Sequence, residues 1–533
     1  MASIVHQKNK KTGVVYVYES TSYWDKEKQQ SRAKRKCIGK LDPDTNRVIP
    51  NRKPNPPSKR KKPGPIRFDK VNHFFFGATY LFDQIIDHIG LKKDLQQCFP
   101  DIYRQILSLA YYLILEDKNP LSRFPKWASS HKHPFSKEIP SQRSSEVFAT
   151  ITDDARTQFF QLQGKRRMEK EYWAYDTTSI SSYSKCLKQV RYGFNKDHDP
   201  LPQINLALLF GETSQLPFYY RKLAGHIPDV KTVKKLLADM SFMEFGKVKL
   251  ALDRGFYSRE NINALYQNHL KFLIAGKTQL RFIQDELDLV RNEMRDWTHY
   301  NSEYELYAYT KPIQWSYEQE RPYKGDTLQE KRRMYLHLYH SGERALEHER
   351  SFNRLLFTLK TELETGQRRP ENEKRYEKYF EIKTTPVRGT QIKPKNEVIA
   401  QEKRNHGYFC LLSNDIKEPI KALETYRNKD LVEKAFANIK DRLSLRRLSV
   451  SSEKSLDGKL FVEFIALIIL SYIKKQMQDE KLFKDFTLQQ ILDEFDVIEC
   501  FEYPGHPNQI GEITNKQKQL YKKMGITPPT SLQ

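Results

Sequence analysis

The stretch KVKLALDRGFYSRENINALYQNHLKFLIAG, residues 247–276, decides the fold class. KVKLALD reads as a short buried strand, SRENINALYQN as a helix and KFLIAG as another strand, an alternation that belongs to a sheet with helices packed on it. Upstream, PQINLALLF (202–210) is a strand and DVKTVKKLLADM (229–240) a helix that Asp229 is placed to cap. EYWAYDTTSISSYS (171–184) reads as one strand ending near Asp176 and a second after a tight turn. The expected class is therefore α/β with a mixed sheet, in which Asp176 and Asp253 fall at or near strand ends.

Beyond residue 281 the β/α rhythm is lost. RDWTHYNSEYELYAYTKPIQWSYEQ (295–319), a charged helical run at 342–364 and KYFEIK (378–383) read as an insertion, after which HGYFCLLSND (406–415) resumes a strand. Trp297 and Trp315 are candidates for stacking on an unpaired base and equally suited to a core. Towards the N-terminus, β-prone runs at 13–20 and 31–41 suggest a hairpin or three-stranded unit. NRKPNPPSKRKKPGPIR (51–67) is a basic, proline-rich linker. TYLFDQIIDHIGLKKDL (79–95) and IYRQILSLAYYLILE (102–116) carry helical spacing. The expected organisation is a small β unit at 1–50, the linker at 51–67 and an α-helical, DNA-binding domain at 68–165. The first part of the α/β core follows at 166–281, the insertion at 282–400, the second part of the core at 401–445 and a C-terminal helical region at 446–533.

The 91 Lys and Arg outnumber 67 Asp and Glu, leaving a formal charge of +24, which favours a polyanionic partner, nucleic acid or an anionic membrane. The longest apolar run, FVEFIALIILSYI (461–473), is too short for a bilayer and contains Glu463, so a buried helix is expected and no membrane association. Five scattered cysteines without a C-x-x-C pair suggest a reducing compartment and no structural zinc. His131 with His133, and His337 with His340, are expected to be surface histidines rather than ligands. The opening MASIVHQKNKK has no apolar signal core, so export is not expected.

YRNKDLVEKAFANIK (426–440) places Tyr426, Lys429, Glu433 and Lys440 on one helical stripe, one acid among bases and an aromatic. Alone, Lys429 and Glu433 are an i,i+4 pair on a solvated face. With Asp176 and Asp253 the carboxylate has another reading, provided the insertion is looped out so that three acids meet at one sheet edge. Such like charges need neutralising cations, the oxygen-seeking Mg²⁺ suits them, and two ions can clamp both oxygens of a phosphoryl displacement.

YDTTSI (175–180), LALDRGFYS (250–258) and YRNKDLVEKAFANIK together resemble the DDE transposases of bacterial insertion sequences, in the group with a Tyr-Arg-Glu-Lys signature around the last acid. Two, three and six residues separate Tyr426, Lys429, Glu433 and Lys440, as that signature has them. LPQINLALLF and AGHIPDVKT resemble the segments between the two aspartates, and the likeness runs over about residues 170–480. Lys429 stands where the signature has Arg, keeping the charge but losing the bidentate fork; His226 stands where the family often has Asn.

The resemblance implies an RNase H-like catalytic core and a catalytic, metal-binding triad of Asp176, Asp253 and Glu433. It implies two Mg²⁺ ions, with Mn²⁺ as a substitute, and DNA contacts from Tyr426, Lys429, Lys440 and Arg254. The implied reaction is cleavage at transposon ends and transfer of the 3′-OH into target DNA. Double-stranded DNA, as terminal inverted repeats and target, is the partner, with a homodimer in the synaptic complex and a cytoplasmic, nucleoid-associated bacterial location. A metal-dependent nuclease without strand transfer and a catalytically silent, transposase-derived DNA-binding protein are the alternatives.

Overall fold

The computed structural model describes residues 2–25, 27–51, 71–116, 120–184, 187–195, 199–320, 325–385, 389–429, 447–448, 452–503 and 507–530. The chain divides into two compact units, Met1–Lys70 and Val71–Gln533. The first is an antiparallel sheet of β1 (Ala2–Lys8), β2 (Val15–Asp25), β3 (Gln30–Leu41) and β4 (Val48–Pro50), paired in that order. Sequence reading anticipates only its centre, because β1 is almost wholly exposed and β4 has three residues, leaving neither an apolar alternation. Gly39 is required where β4 crosses β3, since a β-carbon there would lie 2.3 Å from the Ile49 carbonyl oxygen.

The second unit begins with β5 (Asn72–Phe75) and a helical region, then builds a large mixed sheet. Its first strands are β6 (Trp173–Ser182), β7 (Gln203–Gly211), β8 (Pro217–Ala224), β9 (Lys249–Leu252) and β10 (Lys271–Ala275). β6, β7 and β8 form an antiparallel meander. The helix Asp229–Phe242 then carries the chain to β9, parallel to β6, and the helix Arg259–Gln267 carries it to β10, parallel to β9. The resulting order β8-β7-β6-β9-β10 with flanking helices is consistent with an RNase H-like transposase fold.

β6 corrects one expectation. It runs unbroken through Asp176, with no turn there, because the β-branched Thr177 and Thr178 suit an extended chain and β7 pairs with it from Trp173 to Ser181. Asp176 is thus mid-strand, whereas Asp253 directly follows β9.

The sheet continues into the segment read as an insertion. β11 (Tyr300–Asn301), β12 (Leu306–Glu320) and β13 (Thr327–Ser341) precede the long helix Gly342–Glu364. β14 (Phe380–Thr385) and β15 (Gly389–Pro394) form a hairpin beside that helix, over a small core of Phe352, Leu359 and Tyr376. β16 (Tyr408–Ser413) then lies between β10 and β13, antiparallel to both. The β12–β13 hairpin is therefore an extension of the large mixed sheet. Trp315 accordingly is a core residue, its indole N–H donating to Asn263 Oδ1 at 2.8 Å, while Trp297 is 81% exposed. β17 (Arg447–Leu448) pairs with β6 at Ser181–Ser182, past the end of β9.

The helical region, Gly77–His88 through Asp153–Lys165, closes around the helix Glu453–Asp479. As expected of the run at 461–473, that helix is buried; Glu463 within it has its carboxyl pushed up to about 7 by desolvation, against the pull of Lys459 at 3.6 Å. Gly458 lets this helix meet Ser141–Thr150, because a β-carbon would fall 2.2 Å from the Phe148 carbonyl oxygen. β18 (Glu499–Glu502) pairs with β5 and with β19 (Gln509–Ile510), joining the two ends of the unit.

The four histidines expected at the surface are buried. His131 stacks on Trp127 and reaches Asp496 at 3.2 Å; His133 meets Ser108 Oγ at 2.9 Å. His337 meets Thr310 Oγ1 at 2.7 Å and His340 lies against the Tyr408 ring. Neutral imidazoles with a hydroxyl or aromatic partner are compatible with burial, and desolvation holds His133, His337 and His340 down to about 4. No helix among the described residues is long and apolar enough to cross a membrane.

Candidate active site

β6 and β9 pair in parallel, Trp173 with Leu250, Ala174 with Ala251 and Tyr175 with Leu252. The same register leads β6 on to Asp176 and β9 to Asp253, the residue that directly follows it. Strand pairing thus brings residues 77 apart in sequence to the same end of two adjacent strands.

A helix described over 419–429 packs on the sheet face formed by Ala251, Leu273 and Leu411, through Ala422, Leu423 and Tyr426. Asp253 stands two residues after Ala251, and Tyr426 donates its hydroxyl proton to Asp253 Oδ1 at 2.6 Å. Lys429 follows one turn later, 1% exposed, with Nζ 5.2 Å from the Tyr426 ring centroid. Burial would raise the Asp253 carboxyl, but the Tyr426 hydrogen bond, the Lys429 charge and the Arg254 backbone N–H hold it below the usual carboxylate range. It is kept ionised and ready to accept a cation or a donor.

This helix is fastened along its length. Tyr339 donates to the Pro419 carbonyl at 2.7 Å, Tyr304 donates to Glu424 at 3.1 Å, and the Arg427 guanidinium lies 4.6 Å from the Tyr304 ring centroid. Asn428 donates to the buried Glu212 at the end of β7. Glu433 and Lys440 lie outside the described residues.

Residues 168–469 match the family model described as Transposase DDE domain. The chain belongs to that family. The match takes in both aspartates, the helix at 419–429 and most of the buried helix Glu453–Asp479. No curated protein sequence matches the chain. Among solved structures, it is similar to a piggyBac transposase in a cryo-EM structure of its synaptic complex with hairpin DNA, at 12% identity and a TM-score of 0.32, over 78% of this chain and 70% of that one.

In this transposase domain the opposite face of β6 is arranged differently. Thr177 donates to Asp229 Oδ1 at 2.5 Å, and Tyr175 is buried against Phe256. Asp229 does not cap its helix: Pro228 occupies the N-cap position, and there is no side-chain cap hydrogen bond. Being one residue inside, the Asp229 carboxylate lies near the positive helix end and is used by Thr177 instead.

Arg254 opens the short turn Arg254–Phe256 and is exposed. It borders a cleft of about 590 Å³ with Arg344, Lys378, His348, Phe352 and Phe409. Among the described residues no three His, Cys, Asp or Glu side chains group as a metal site. The all-oxygen pair of Asp176 and Asp253 nevertheless fits a hard divalent cation that takes one further carboxylate. The Tyr426–Asp253 bond is a feature that sequence reading misses; its signal was the aromatic on the acid-bearing stripe, assigned there to DNA.

Proposed function

We propose that the chain is a DNA transposase of the bacterial insertion-sequence type, cutting at transposon ends and joining the freed 3′-OH to target DNA. The observation that supports this is the Tyr426–Asp253 hydrogen bond at the end of β9, the strand that pairs in parallel with the Asp176-bearing β6, within a transposase DDE domain. Glu433 is seven residues beyond Tyr426, within about 20° of it on a helical wheel, so the sequence assigns it to the stripe that reaches Asp253. Asp176, Asp253 and Glu433 would hold Mg²⁺ or Mn²⁺, two ions per site, which when bound polarise the scissile phosphate and lower the pKa of the attacking hydroxyl.

The chain's own residues do the remaining work. Tyr426 orients the Asp253 carboxylate through Oδ1, and Lys429 offsets the repulsion between the acids. Lys440 and Arg254 contact phosphates of the double-stranded DNA, the terminal inverted repeats or the target. The active assembly is a homodimer holding two ends, in the bacterial cytoplasm on the nucleoid.

The test is incubation of the full chain with Mg²⁺ and DNA carrying the inverted repeats that flank its coding region. Nicked ends joined to a second DNA are expected, and Asp253→Asn should produce neither product. Cutting without joining would identify a nuclease. Terminal binding with no cutting would identify a silent DNA-binding protein.

A further inference from the structure

Charge is unevenly spread along the chain. Residues 1–70 hold 19 Lys and Arg against 6 Asp and Glu, a net +13 within a total of +24. Within the N-terminal sheet the bases concentrate on β3, which carries Arg32, Lys34, Arg35, Lys36 and Lys40 and no acid. Arg32 is engaged by Asp25 at 3.3 Å, and Lys40 lies over the Tyr16 ring. Lys34, Arg35 and Lys36 are exposed and form no ion pair among the described residues, although Glu19 is the register partner of Lys36.

The pairing of β3 is asymmetric. β2 flanks it from Gln30 to Lys40, but β4 pairs only with Gly39–Leu41. From Gln30 to Lys36 the outer edge therefore has no strand partner among the described residues, and its outward backbone N–H groups are donors beside the cations. Strand alternation sends Lys34 and Lys36 to one side, about 6.8 Å apart, and Arg35 to the other, so that three cations straddle the edge.

We propose that this open edge, with Lys34, Arg35 and Lys36, is a duplex-DNA site that holds the sugar–phosphate backbone without reading sequence. The edge presents ammonium, guanidinium and amide donors, the complement of phosphate oxygens. The interleaved Ser31, Ala33 and Cys37 are too short to reach base edges past the longer cationic side chains. The inference rests on the chain acting on DNA and adds a grip remote in sequence from the acids.

The experiment uses the full chain and two duplexes of unrelated sequence, with affinity measured against salt. The variant Lys34→Gln, Arg35→Gln, Lys36→Gln should lower the slope of log K against log salt by about 2 to 3 units on both duplexes. A control variant, Lys518→Gln, Lys522→Gln, Lys523→Gln, removes the same charge from an exposed helix and should leave the slope nearly unchanged. If the triple change unfolds the sheet, Lys34→Gln with Lys36→Gln should lose about two units.

A wild-type slope in the β3 variant overturns the proposal, as does an equal fall in the control or a loss on one duplex alone. Self-association of the β3 variant with DNA affinity intact also overturns it, since the cations would then only keep the open edge from pairing. Loss of binding to anionic vesicles but not to DNA would assign the edge to a membrane. If the unaltered chain binds neither duplex, the DNA reading fails and this site with it; if it binds and the β3 variant matches it, only the site fails.

Discussion

On one face of β6 the hydroxyl of Thr177 bonds Asp229; on the other, one residue earlier, lies Asp176, toward the end of β9 where the Asp253 carboxylate takes the Tyr426 hydroxyl under the charge of Lys429. Asp229 stands at a helix start and accepts a neutral hydroxyl. Asp253 follows the strand beside the one that carries Asp176, and a cation lowers its carboxyl. Residue type is the same on both faces, and what differs is the surroundings: an acid facing another acid and a base is arranged for an added cation, whereas an acid facing a hydroxyl is already satisfied.

Breaking the acid face should have the largest effect. Asp253→Asn or Asp176→Asn should lower Mg²⁺-dependent end cleavage by at least about a thousandfold, the loss of several kcal/mol of transition-state stabilisation, in single-turnover assays. Terminal DNA binding should persist, because the basic surface is untouched. Glu433→Ala should behave alike; parental cleavage by that variant would reduce Glu433 to an i,i+4 partner of Lys429 with no part in the chemistry.

Tyr426→Phe sharpens the comparison. Loss of the bond that orients Asp253 should weaken Mn²⁺ binding by about 10- to 100-fold, measured by titration without DNA. The acid limb of unfolding should change too. Asp253 titrates below its ordinary 3.8, so its pairing contributes stability that is present above that value and lost as pH falls through the lower folded value. Removing the hydroxyl moves the folded value up and shrinks that loss below pH about 4, which acid unfolding monitored by circular dichroism would register.

On the other face, Asp229→Asn should cost stability of about 1 kcal/mol through the Thr177 bond and leave cleavage at the parental rate. A cleavage defect as large as that of Asp253→Asn would erase the distinction between the faces. The smallest effect on cleavage is expected at Glu463, buried in the helix Glu453–Asp479. Its folded value of about 7 lies above the ordinary 4.5, so stability is greatest below pH 4.5 and declines as pH rises to 7. Glu463→Gln should flatten that decline in melting temperature.

Local pattern made much of this architecture readable. KVKLALD, SRENINALYQN and KFLIAG announce strand, helix and strand because burial and spacing are written within a few residues of one another. What pattern cannot show is which strands pair. The β12–β13 hairpin joins the large mixed sheet through β16, some seventy residues later, and nothing local in 306–341 reveals that partner. Local sequence places Asp176 at a strand end because Asp-Thr-Thr is also a turn sequence, and only the long pairing with β7 decides between them. It makes Asp229 a cap for the related reason that a cap and a first-turn acid look alike, and Pro228 at the N-cap excludes the former. At the acid site the residue set was legible as a stripe, while the bond between Tyr426 and Asp253 spans 173 residues and depends on tertiary packing.

The pairing of β5 with β18 bears on how the molecule is made. Phe75 must wait 424 residues for Glu499 to be synthesised, about 20 to 85 s at ordinary elongation rates. For most of that interval the helices from Gly77 onward lack Glu453–Asp479 as well, the element that fills their core. A nascent or prematurely terminated chain therefore exposes an apolar helical surface, while every strand and turn of the N-terminal sheet has already left the ribosome. Chains ending before residue 499 should accordingly be substrates for chaperones and proteases, not folded proteins with a missing tail.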